Sequence, residues 1–148
     1  MSHTKFSMRV SANLHLIRDG KILLLRRFNT GWKDGEYGVI AGHVDGNETI
    51  AEAMAREARE EAGIEIAVKD LSVVHAQHRI SRDSEYIDFH LVPATWNGEP
   101  VNLEPDKCDD LSWHALDNLP ESTIPYMRLA FKCIAQGISF SEWREPNA

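Results

Sequence analysis

The segment Gly42 to Ile64, GHVDGNETIAEAMAREAREEAGI, decides the fold. It opens with a glycine-punctuated turn through Gly42 and Gly46. From Thr49 to Ala62 it is rich in Ala, Glu, Arg and Met, strong helix formers, and Gly63 stands where a left-handed C-cap is expected. A loop, a helix and a second loop are therefore predicted. Residues three and four apart share a helix face, which gathers Glu57, Glu60 and Glu61 near the C-terminal end. Each like-charge neighbour costs about 0.2–0.5 kcal/mol, and negative charge there opposes the helix dipole by about 0.3–1 kcal/mol. A bound divalent cation reverses both signs. Hard cations such as Mg²⁺ take oxygen ligands and are commonly shared between a few carboxylates and the phosphates of a substrate. An ordinary solvated helix has the same composition, so the run alone does not choose between the two.

Charge supports the cation. Between Gly42 and Glu65 the acids Asp45, Glu48, Glu52, Glu57, Glu60, Glu61 and Glu65 face only Arg56 and Arg59, so most of the net charge of −7 sits in this segment. With 16 Lys and Arg against 23 Asp and Glu, the chain has the wrong sign to bind a nucleic acid polymer by neutralising phosphates. A phosphate-bearing partner then needs a cation in between. The 148 residues suit one domain spanning 1–148, and 43% apolar content builds a core without disulfides. Cys108 and Cys133 lack CxxC spacing and read as free thiols in a reducing compartment. No apolar run approaches the ~20 residues of a membrane span, and Met1-Ser2-His3-Thr4-Lys5 lacks a signal-peptide layout. A cytoplasmic protein with no membrane partner is expected.

Outward from the helix, apolar runs Val10 to Ile17 and Ile22 to Leu25 flank the turn dipeptide Asp19-Gly20 and predict a β-hairpin. A short strand is predicted at Tyr37 to Ala41, further strands at Leu71 to Ile80, Glu85 to Trp96 and Leu111 to His114, and a second helix over Thr123 to Gln136. Strands in the middle with two flanking helices suggest an α/β sandwich.

The spacing of Gly42, Glu48 and Arg56-Glu57-Ala58-Arg59-Glu60-Glu61-Ala62-Gly63-Ile64 resembles the signature box of the Nudix hydrolases, with Ala58 where a larger aliphatic is more usual. The resemblance implies an α/β/α sandwich with a mixed sheet and a loop-helix-loop motif that hydrolyses a nucleoside diphosphate linked to another group. It implies that Glu57, Glu60 and Glu61 hold Mg²⁺, with Mn²⁺ as the alternative, and that the carbonyl of Ala41 is a further ligand. Arg56 and Glu48 match a salt-bridged pair bracing loop to helix, while Gly42 and Gly46 serve backbone geometry and Gly63 closes the motif. Glu57 is the leading candidate for the base or for holding the attacking water. The stretch Gly98-Glu99-Pro100 to Glu104-Pro105-Asp106-Lys107-Cys108, followed by Trp113, resembles a subgroup acting on nucleoside triphosphates, in which a loop acid supplies a ligand or the base. Glu104 fills that place, with Asp109 and Asp110 as substitutes.

An anionic substrate needs positive partners, and Arg26 and Arg27 end a strand whose alternation sends them to opposite faces, so only one points inward. Trp32, Tyr37, Phe89 and His90 are available for base recognition, and the seven histidines show no zinc spacing. The leading expectation is hydrolysis of a nucleoside triphosphate to the monophosphate and pyrophosphate, with oxidised purine nucleotides among the candidate substrates. The alternatives are a nucleotide-sugar or dinucleoside polyphosphate hydrolase and, in another class, a regulatory nucleotide-binding module, which would have lost box carboxylates that this chain keeps. A homodimer is common among similar proteins.

Overall fold

Two sheets share the strands. In the computed structural model, which describes residues 4–148, the large sheet has the order β5-β1-β7-β6-β9, formed by Ile40–His43, Arg9–Leu14, Glu85–Pro93, Leu71–Ile80 and Phe140–Arg144. It is mixed: β1 runs antiparallel to β5 and parallel to β7, and β6 runs antiparallel to β7 and parallel to β9. The small sheet joins β2 (Ile17–Arg18), β3 (Lys21–Arg27) and β4 (Tyr37–Gly38), with β8 (Cys108–Ala115) on the other side of β3. Helices α1 (Ile50–Ala62) and α2 (Pro125–Ala135) complete the α/β architecture. Met1, Ser2 and His3, part of the N-terminal reading above, lie outside the described residues. No described helix is long and apolar enough to cross a membrane.

Helix α1 forms where the composition predicts, and its ends are chemically marked. Thr49 accepts from the Glu52 amide at 3.0 Å while Glu52 accepts from the Thr49 amide at 2.8 Å, a reciprocal capping box. Gly63, at φ 68°, closes the other end in the left-handed conformation that glycine adopts without penalty. The face toward the sheet is Ala53, Met54, Ala55, Ala58 and Ala62, all buried. Small side chains there let the helix lie close to β1 and β5, packing on Ala12, Leu14, Ile40 and Leu91. Ala58, shorter than the aliphatic usual in the box, is fully enclosed. A second core of Ile22, Leu24, Val39, Ile124, Met127 and Phe131 joins α2 to the small sheet.

The predicted hairpin is corrected by the pairing. The first apolar run breaks after Leu14: β1 enters the large sheet, and only Ile17-Arg18 pairs with β3 across Asp19 and Gly20, both at positive φ. Tyr37 to Ala41 divides in the same way at Val39, giving one piece to each sheet. The alternation of Val10, Ala12, Leu14 and Leu16 continues unbroken past Leu14, so periodicity alone cannot show the break. Strand β9 is a further element beyond those predicted; its five residues, Phe-Ser-Glu-Trp-Arg, carry too little apolar signal.

Candidate active site

Arg56 organises the acidic end of α1. It donates to Glu48 from Nη2 at 2.8 Å and from Nε at 3.2 Å, and to the His43 carbonyl at 3.2 Å, tying the loop before the helix to the helix itself. Glu48 also accepts from the Asp45 amide, and its carboxyl is held below the usual range chiefly by the Arg56 hydrogen bond. From Nη1, Arg56 reaches Glu57 at 2.8 Å and Glu60 at 3.4 Å. The expected brace is present, and it extends into the carboxylate cluster.

The carboxylates sit in graded environments. Glu60 is exposed. Burial raises the Glu57 carboxyl against the opposing pull of Arg56, with Glu60 and Glu104 adding like charge. Burial, then the charges of Glu57 and Glu104, pushes Glu61 up to about 9. The Ala41 amide donates to Glu61 Oε2 at 3.1 Å, a contact through the N–H and not through the carbonyl expected as a ligand. Gly42 is required by space: an added Cβ would overlap the Glu57 carboxyl carbon.

Glu57, Glu60 and Glu61 line a cavity of about 340 Å³ with Arg27, Thr30, Asn102, Glu104, Lys107 and Cys108. Glu104 is the loop acid that reaches it. Asp109 instead pairs with Arg26 at 2.7 Å, and Asp110 accepts from the Tyr37 hydroxyl, so both substitutes turn toward the other side of the small sheet. Among the described residues, no three Asp, Glu, His or Cys side chains are already placed to ligate an ion. The reason is local: Glu57 is turned onto Arg56 and Glu61 onto the Ala41 amide. The donor set nonetheless fits a hard divalent cation. Its donors are carboxylate oxygens, and the Glu61 carboxyl is buried among like charges with a single hydrogen bond.

A second cavity, of about 610 Å³, adjoins the first and shares Arg27 with it; Ala41, Gly42 and His43 form part of its wall. Of the two strand-end arginines, Arg27 points inward: it donates to the Trp32 carbonyl at 2.7 Å and to Thr30 Oγ1 at 3.0 Å, and lies 4.8 Å from the Trp32 ring centroid. A register shift between Arg26 and Arg27 accompanies their separation. Arg26 stays with Asp109 and Tyr37, outside both cavities. Trp32 lines the larger cavity, whereas Tyr37 is buried in the second core. Phe89 packs on the first core, and His90 is buried against His15.

Sequence reading missed the rest of the larger cavity: Ser11, Asn13, Arg79, Tyr86, Tyr126 and Glu145 among its walls. The signal was polar alternation inside strands that are otherwise apolar. Ser11 and Asn13 on β1, His75, Gln77 and Arg79 on β6, and Asp88 and His90 on β7 are buried at every second position.

Comparison with known proteins agrees with this geometry. Residues 8–131 match the family model described as the NUDIX domain. An NAD-capped RNA hydrolase NudC from Shigella dysenteriae is 33% identical over 108 residues, which cover 73% of this chain and 39% of that protein. The chain thus spans about two-fifths of that relative's length. Among solved structures, a MutT NUDIX hydrolase from Burkholderia pseudomallei aligns with a TM-score of 0.79 at 29% identity, covering 86% of this chain and 98% of that one. A MutT protein from Methanosarcina mazei shares the fold, with a TM-score of 0.77 at 19% identity over 90% and 97% of the two chains.

Proposed function

The chain belongs to the Nudix hydrolase family, and on that premise we propose that it cuts a nucleoside triphosphate into the monophosphate and pyrophosphate. The observation that carries the reading is the junction of two unlike cavities at Arg27. One is acidic and the other aromatic and polar, a division that suits a phosphate chain and a nucleoside. Glu57, Glu60, Glu61 and Glu104 would hold Mg²⁺ or Mn²⁺. When bound, the ion supplies neutralisation of charge on the phosphoryl oxygens and acidifies water.

The chain's own residues do the rest. Arg27, fixed by Trp32 and Thr30, binds phosphate at the boundary of the two cavities. Arg56 orients Glu57, and Gly42 leaves room for that carboxylate. Glu57 or Glu104 accepts the proton of the attacking water, since both carboxylates face the acidic cavity. Trp32 offers a ring at the nucleoside side.

A second reading is favoured by the named relatives: cleavage of a dinucleotide or other nucleotide conjugate at its pyrophosphate, as the name of the NAD-capped RNA hydrolase suggests for that protein. One experiment separates the readings. Purified protein with Mg²⁺ is offered nucleoside triphosphates, 8-oxo-dGTP, nucleotide sugars, dinucleoside polyphosphates and NAD. Pyrophosphate release from a triphosphate supports the first reading, and two mononucleotide-type products support the second. Tight binding with no product overturns both in favour of a regulatory module.

A further inference from the structure

Arg79 is more constrained than a bracing ion pair requires. On β6 it is 6% exposed, with Nε donating to Asp88 Oδ2 at 2.6 Å and Nη2 to Asp88 Oδ1 at 3.1 Å. Asp88 is fixed in turn by Ser11, whose hydroxyl donates to Oδ1 at 2.6 Å. The guanidinium carbon lies 4.0 Å from the Tyr86 ring centroid and 4.2 Å from that of Tyr126. With rings against the guanidinium, its edges are what remain to meet a ligand.

One edge is taken by Asp88. Nη1 makes no hydrogen bond among the described residues, yet the only buried side-chain polar atoms there without a partner are Gln77 Oε1 and His90 Nε2. Nη1 is therefore not sealed in, and Arg79 lines the larger cavity. The fork formed by Nη1 and the second N–H of Nη2 stays open, and two parallel donors match two adjacent acceptors. On the same wall, Asn13 donates both amide hydrogens, to Ser11 Oγ at 3.0 Å and to the Phe89 carbonyl at 3.1 Å, which leaves its Oδ1 as an acceptor.

We propose that Arg79, seconded by Asn13, is the specificity-determining residue of this site and selects a 6-oxopurine nucleotide, guanine or hypoxanthine. The proposal rests on the nucleotide reading above and deepens it. Guanine presents N7 and O6 as neighbouring acceptors, the pair that arginine reads by two parallel bonds, followed by the N1–H donor. Adenine places its N6 amino donor where the fork needs an acceptor. A phosphate also offers two oxygens, but Asp88 already neutralises Arg79, and the surrounding Tyr86, Tyr126 and Trp32 suit a flat ring better than a solvated anion. An 8-oxo-guanine carries a hydrogen on N7, turning an acceptor into a donor opposite the fork.

The test is calorimetric binding of nucleoside monophosphates to the full chain in excess Mg²⁺, which needs no turnover. GMP and IMP should bind within about threefold of each other, and AMP and 7-deaza-GMP at least about tenfold more weakly. Arg79→Lys, which keeps a cation beside Asp88 but removes the fork, should erase the preference for GMP while changing AMP binding little. A merely structural arginine would weaken all four alike. Equal binding of GMP and 7-deaza-GMP by the wild-type chain overturns the proposal whether or not the variant folds, as does equal binding of AMP or no binding of GMP. Selective GMP binding without cleavage of any triphosphate would keep this proposal and sink the reading above. Cleavage of ATP and GTP alike, with no preference among monophosphates, would do the reverse.

Discussion

In protein stripped of divalent ions, Glu61→Gln should make the fold more stable at neutral pH while removing turnover. The Glu61 carboxyl ordinarily titrates at 4.5 and is pushed up to about 9 here, first by burial and then by Glu57 and Glu104. Between those limits the folded chain keeps a proton that the unfolded chain releases. The contribution of Glu61 to stability is therefore full below pH 4.5 and is lost as pH rises toward 9, at about 1.4 kcal/mol per pH unit. At pH 7 the loss amounts to roughly 3 kcal/mol, or about 6–12 °C in melting temperature for a domain of this size. Glutamine keeps an oxygen for the Ala41 amide and has no such proton to lose. Urea unfolding followed by tryptophan fluorescence in EDTA should give nearly equal stabilities for wild type and variant near pH 5, and a more stable variant by pH 8. Adding Mg²⁺ should stabilise the wild type far more than the variant. Parallel stability curves for the two proteins in EDTA would refute the reasoning, because Glu61 would then not be a buried carboxyl among like charges.

Gly42→Ala should leave the melting temperature within a few degrees and reduce kcat by about a hundredfold, since the new methyl displaces the Glu57 carboxylate by a distance that matters to positioned chemistry; near-normal kcat would remove Glu57 from the reaction. Arg27→Ala should raise KM for a triphosphate at least about tenfold, the size of one lost charge-assisted contact, whereas Arg26→Ala, outside both cavities, should leave steady-state kinetics unchanged. Acid should unfold the protein through His15 and His90, which burial keeps neutral; burial, then His75 and Arg79, pushes His90 down to about 3. The unfolded chain takes up protons near pH 6.5 that these rings refuse, so their contribution to stability is full above 6.5 and falls below it, by roughly 2 kcal/mol at pH 5 for His90 and in the same direction for His15. Urea midpoints at pH 7.5 and 5 measure this, and His15→Leu should flatten the slope.

What the sequence discloses about the fold depends on how local the determinant is. Helix α1 is legible because its caps, its composition and its buried alanines all lie within Thr49 to Gly63. The division of Val10 to Ile17 between two sheets is not, because the alternation of Val10, Ala12, Leu14 and Leu16 runs straight through the break and only the partners differ: β1 pairs with β5 and β7, whereas Ile17 pairs with Ile22 of β3. Strand β9 owes its place to a parallel ladder with β6, where Gln77 meets Ser141 and Arg79 meets Trp143. Such pairing stabilises a segment that carries no periodic signal of its own.

The same contrast separates the two halves of the site. The acidic half is written in one helix turn plus a loop acid, so spacing exposes Glu57, Glu60 and Glu61 directly. The half proposed for the nucleoside is assembled from β1, β5, β6, β7, α2 and Glu145, and its strand members come into register only through strand pairing. Arg79 and Asp88 stand nine positions apart and read as ordinary polar residues until the β6–β7 ladder, which pairs Arg79 with Tyr86 and Gln77 with Asp88, makes them diagonal neighbours. A charge pair enclosed this well contributes little net stability over apolar residues of the same size, since desolvation offsets its attraction. Its cost is sensible if the arginine also serves a ligand. Replacing Arg79 and Asp88 together with apolar residues would therefore be expected to preserve the fold while erasing base preference; loss of the fold would assign the pair to architecture instead.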